Sequence, residues 1–149
     1  MKSEDRQLDV LIRSEVKDYV KNSRKNWLGP DFSEPAWAEP LIGIVSAADP
    51  LFTFYKEDIG PFYWKPEEIF HLAFPNQTVS AEDLSIVSWI LPQTEETKRD
   101  QRREKRLPAK RWMCSRSYGQ DFNDHLSQYL VRWCRNREID AVSPSVSSH

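Results

Sequence analysis

Between Glu82-Asp83 and Pro92 the chain reads Leu84-Ser85-Ile86-Val87-Ser88-Trp89-Ile90-Leu91. A short run rich in β-branched and aromatic residues, closed by a proline, predicts a strand. Apolar residues occupy both parities of this run, which predicts a strand covered on both faces, as in a parallel sheet. Leu41-Ile42-Gly43-Ile44-Val45 predicts a second strand, broken at Asp49-Pro50, and Ile139-Asp140-Ala141-Val142 a short third.

Helices are predicted between and around these strands. Leu8, Leu11, Ile12, Val16, Tyr19 and Val20 fall on one face of a helix over roughly 4–23. Residues 51–58 suit a helical turn, and Lys65-Pro66-Glu67-Glu68 has the proline and acids of a helix first turn, with Pro75 ending that helix after Phe74. Phe122, Leu126, Tyr129, Leu130 and Trp133 mark a long amphipathic helix over about 119–137. Trp27 to Pro40 reads as an ordered loop, because three prolines and two tryptophans suit a segment laid on a core. Strands separated by helices predict right-handed crossovers and an α/β fold: a small, mostly parallel sheet with flanking helices.

The 149 residues suit one domain, residues 1–149. No apolar run approaches the roughly 20 residues that span a membrane, and the N-terminal MKSEDRQLDV lacks an apolar signal segment. The expectation is a soluble, cytoplasmic protein with reduced thiols. Net charge is only −2, but it is unevenly spread. Residues 31–96 hold 12 acids and 2 bases, whereas residues 98–116 hold 9 bases and 2 acids. Bulk attraction to nucleic acid is therefore not expected, while a local phosphate contact is. Residues 94–111 form a charged loop or helix, and Trp112 and Tyr118 beside it are aromatic enough to stack on a base.

Four glycines exclude a glycine-rich phosphate loop. The three histidines, His71, His125 and His149, have no cysteine or second histidine within four residues, so metal-ligand spacing is absent. Cys114 sits near Arg111 and Arg116, which favours thiolate, yet no base adjoins it; Cys134 lies beside the apolar stripe of its helix and suits burial. The aromatics Trp27, Phe32, Trp37, Phe52, Phe54, Phe62, Tyr63 and Trp64 suit a core, or a platform for a flat cofactor. In Arg116-Ser117-Tyr118-Gly119-Gln120-Asp121-Phe122-Asn123 a glycine opens the predicted helix and Asp121 falls in its first turn. There Asp121 is either a cap or, if buried, a proton donor.

Several of these segments together carry a resemblance. Leu84–Pro92, the charged stretch, Arg116 to Leu126, and IDAVSPS, with the earlier AEPLIGIVSAADPLF and DIGPFYWKPEEIF, resemble the N-terminal part of epoxyqueuosine reductase-like proteins. The similar branch is the ferredoxin-annotated one, related to reductive dehalogenases, and the resemblance covers about residues 27–147. It implies part of a nitroreductase-like corrinoid-binding domain, cobalamin as cofactor, two [4Fe–4S] clusters, and reduction of an epoxide on a tRNA base. It places Asp121 on the family's proton donor, Gly119 on its glycine, Phe122 and Asn123 on its aromatic and histidine, and Arg116 and Tyr118 in the cofactor site. Gln120 stands where the family has a basic residue. Two cysteines cannot ligate two clusters, which need eight thiolates, so the resemblance implies that the clusters lie in a C-terminal ferredoxin-like region missing from these residues. The expected function is the N-terminal portion of a cobalamin-dependent iron–sulfur oxidoreductase, inactive alone. The alternative is a non-catalytic RNA- or protein-binding module using residues 98–116.

Overall fold

The structure, a computed structural model, describes residues 3–144. Helix α1 spans Ser3–Asn22, strand β1 Leu41–Ser46, α2 Pro50–Ile59, α3 Pro66–Ala73, β2 Ser85–Ile90, α4 Glu95–Arg103 and α5 Lys110–Arg135. A single 3-10 turn, Ala81–Asp83, leads into β2. Most of the predicted stripe of α1 is covered, although Leu11 is 48 % exposed: Ile12, Val16 and Val20 pack against Phe122, Leu126, Leu130 and Trp133 of α5. Ile42, Ile44, Val87 and Trp89, from the inner face of the strands, close this cluster. Each large aliphatic or aromatic side chain buried here stabilises the fold by at most about 1.5–3 kcal/mol.

The short helices are set by local chemistry. Asp49 accepts the Leu51 N–H at 2.9 Å and Pro50 occupies the first turn of α2, which stops at Gly60 with φ of +134°. Pro66 opens α3, where Glu68 accepts the Lys65 N–H at 2.7 Å. Thr94 caps α4, with Glu95 and Glu96 in its first turn and Arg102 and Arg103 in its last, as the helix dipole favours.

The sheet corrects the expected mostly parallel arrangement. β1 and β2 pair antiparallel, Leu41 opposite Ile90 through Ser46 opposite Ser85. The connection through α2 and α3 returns to the end it left: Ala47 N–H donates to Leu84 O at 3.0 Å beside the Ser46–Ser85 pair. A parallel partner would need a crossover along the whole strand. The fold is mixed α/β, with five α-helices and a two-stranded sheet among the described residues.

Three further expectations change. Residues 139–142 form no strand; after α5 the Ile139 N–H turns back to Cys134 O at 3.1 Å, and Ile139 and Ala141 meet the core by their side chains alone. The outer face of the sheet is bare, with Leu41 63 % and Ile90 64 % exposed. The aromatic group is not one core either: Trp27, Phe54, Phe62 and Trp64 are exposed.

Candidate functional site

Helix α5 begins at Lys110, not near residue 119. Ser115 and Gly119 extend its buried stripe toward the N-terminus, but one is small and polar and the other has no side chain, so hydropathy does not reveal them. Asp121 consequently lies in mid-helix rather than in a first turn, and it is exposed. The capping role is withdrawn.

Arg116, Gly119 and Asn123 lie on one face of α5, as a helical spacing of 3.6 residues dictates, and line a cleft of about 180 Å³. Trp37, Trp89, Leu91, Ser115 and Gln120 complete the wall. The two indoles are fixed. Trp37 Nε1–H donates to Gly119 O at 3.0 Å, and Trp89 Nε1–H donates to Asn123 Oδ1 at 2.9 Å. Below them Ser115 and Gln93 share hydrogen bonds of 2.9 and 3.0 Å, and Gln93 pairs with Trp37 in an isolated bridge. The sequence marks Trp37 only as one of the aromatics suited to a core or a flat-cofactor platform and does not mark Trp89 or Leu91; Trp89 shares the inner face of β2 with Val87, two residues earlier, and that period is the available signal.

Tyr118 and Asp121 do not join this cleft. Tyr118 packs on Trp27, with ring centroids 5.3 Å apart, and fills the space beside Gly29, whose φ is +112°. It anchors the 27–40 loop. The cleft does not fit a corrin: sites for drug-sized ligands hold roughly 300–1,000 Å³, and a macrocycle needs more. The Trp37 indole also occupies the space a ligand would take beside Gly119.

The basic segment forms a second candidate surface. Arg111 is held between Glu34 at 2.5 Å and Asp100 at 2.7 Å, over the ring of Phe32, and these carboxylates push its guanidinium still higher in pKa. Lys110 pairs with Asp31 at 2.8 Å, and Lys98 with Glu95 at 2.7 Å. Arg99, Arg102, Arg103, Lys105 and Arg106 are exposed and make no ion pair among the described residues. The guanidinium of Arg116 lies 6.0 Å from the half-exposed Trp112 ring.

Among the described residues no group of His, Cys, Asp and Glu could hold a metal ion, and no helix is long and apolar enough to cross a membrane. Cys134 is buried, which pushes its thiol pKa up, and Cys114 is half-buried. No family model, curated protein or solved structure matches the chain.

Proposed function

We propose that the chain is the N-terminal portion of an epoxyqueuosine reductase-like, cobalamin-dependent iron–sulfur oxidoreductase, and that this portion alone is not a catalyst. The observation that carries this reading is the convergence of Arg116, Gly119 and Asn123, three positions the family resemblance singles out, in one cleft under Trp37 and Trp89. The bare outer face of the β1–β2 sheet supports it, since an apolar sheet face needs a second layer. These residues do not by themselves fit a corrin, so their share is a wall: a guanidinium at the rim and two hydrogen-bonded indoles behind it. Asp121 is the proton donor the resemblance implies. Exposed as it is here, it needs cover from further polypeptide to meet a substrate away from bulk water. Reading the source DNA past the codon for His149 tests the proposal. An open frame that runs into clustered cysteines is expected; an immediate stop codon overturns it.

A second reading is favoured by a separate observation, the five unpaired cations on and after α4. In that reading the chain is a non-catalytic module that contacts RNA phosphates, with Trp112 available to stack on a base. RNA binding that weakens steeply with salt supports it, and absent or salt-independent binding overturns it.

A further inference from the structure

Two surfaces of this chain complement one another. Helix α2 buries none of its residues. Phe54 and Ile59 on it, and Phe62 (71 % exposed) and Trp64 in the turn that follows, face solvent. They belong to one fixed piece, because Lys56 pairs with Glu68 of α3 and the Tyr55 and Tyr63 rings meet edge-on at 5.9 Å. Both lysines of this piece are used: Lys56 on Glu68, and Lys65 on Glu67 at 2.9 Å. Among the described residues Glu57 and Asp58 make no ion pair, although Glu57 lies close enough to Lys65 to interact with its charge. The surface is aromatic with an excess of negative charge.

The turn from α4 to α5 has the opposite charge. Leu107 is 74 % exposed and Met113 is exposed nearby in sequence, and Arg103, Lys105 and Arg106 beside them make no ion pair among the described residues, leaving the turn positive despite the exposed Glu104. Monomeric proteins seldom leave large apolar side chains grouped at two such places. Each surface offers apolar area and the charge the other lacks, and both belong to one chain.

We propose that copies of this chain associate head to tail, the α4–α5 turn of one copy seated on the α2 surface of the next. The two surfaces are different, so the contact is heterologous and extends into chains unless its rotation closes a ring. The proposal goes beyond both functional readings and rests on neither.

The test is sedimentation velocity of the chain and two charge-reversed variants. The parent is expected to associate with rising concentration at about 50 mM salt, and about tenfold more weakly at about 500 mM, where charge attraction is screened. Glu57→Lys with Asp58→Lys, and Lys105→Glu with Arg106→Glu, alter exposed side chains and should each give monomers. Mixed, the two variants should associate again, because the intact basic surface of the first then meets the intact acidic surface of the second. That recovery also shows that both variants are folded. A parent that stays monomeric at low salt, a variant that associates alone as the parent does, a mixture that remains monomeric, or association that requires added RNA would each overturn the proposal.

Discussion

The indole of Trp37 abuts Gly119 with its Nε1 edge, donating its Nε1–H to the Gly119 carbonyl at 3.0 Å and leaving no room for a side chain there. A Cβ at residue 119 would meet the indole at 2.5–2.6 Å. Trp37 belongs to the loop before β1 and Gly119 to the middle of α5, so this contact fixes the loop to the helix and lines the cleft.

Gly119→Ala is therefore expected to destabilise the fold. Overpacking costs about 1–3 kcal/mol, against the roughly 1 kcal/mol that alanine gains over glycine inside a helix. Urea unfolding should show a lower midpoint with an unchanged slope. In a Trp37→Ala background the same change should become neutral or stabilising, since the obstruction is gone. A Gly119→Ala chain more stable than the parent would show that the indole does not sit there.

Arg111 joins three segments by pairing with Glu34 of the early loop and Asp100 of α4 while standing on α5. All three side chains are mostly shielded from solvent. Arg111→Gln should cost about 1–2 kcal/mol, the scale of charge-assisted hydrogen bonds in a partly buried network. The gap between variant and parent should narrow as salt is raised. A gap that does not change with salt would assign the loss to packing on Phe32 instead.

Stability at high pH should depend on Tyr129. Its hydroxyl donates to Glu15 of α1, and this hydrogen bond, burial and the carboxylate's charge push its pKa up to about 12. A folded-state value above that of the unfolded chain means stabilisation that is complete below about pH 10 and lost as pH rises toward about 12. Tyr129→Phe should flatten that limb of the stability profile relative to the parent. Parallel losses in both proteins would mean that other groups carry the effect.

The two thiols should react in sequence. Cys134 is buried, and burial disfavours its thiolate, whereas Cys114 is half-exposed on the N-terminal half of α5. A thiol reagent should titrate Cys114 in the native protein and reach Cys134 only on unfolding, with Cys114→Ser removing the fast phase. Equal rates would show that the end of α5 opens readily.

Asp121→Asn should change the stability of the chain by no more than about 0.5 kcal/mol, because the side chain is exposed and unpartnered. A larger change would show that Asp121 makes a contact on which the fold depends.

What the sequence revealed follows the range over which each signal acts. The apolar stripes of α1 and the later part of α5 are local and periodic, and both helices occupy the expected face. Pro66 with its acids, and the Phe74–Pro75 stop, likewise placed α3 correctly. The start of α5 was missed because Ser115 and Gly119 are buried without being apolar: Ser115 by its bond to Gln93, and Gly119 by the closeness of Trp37. Strand direction was missed because apolar residues on both parities signal coverage, not pairing, and no second layer covers the outer face among the described residues. Of the cleft, the sequence marks Arg116, Gly119 and Asn123 as candidates on α5 and Trp37 as a core or platform aromatic. It does not join Trp37 and Trp89 to them, since the two indoles reach the cleft from segments 82 and 34 positions away from their hydrogen-bond partners.

The most direct measurement is metal analysis of the protein expressed from its whole gene, anaerobically and with cobalamin supplied. An N-terminal portion of a corrinoid iron–sulfur reductase predicts about one cobalt and about eight iron atoms per chain, as two [4Fe–4S] clusters require. A purified product free of both metals would contradict that assignment.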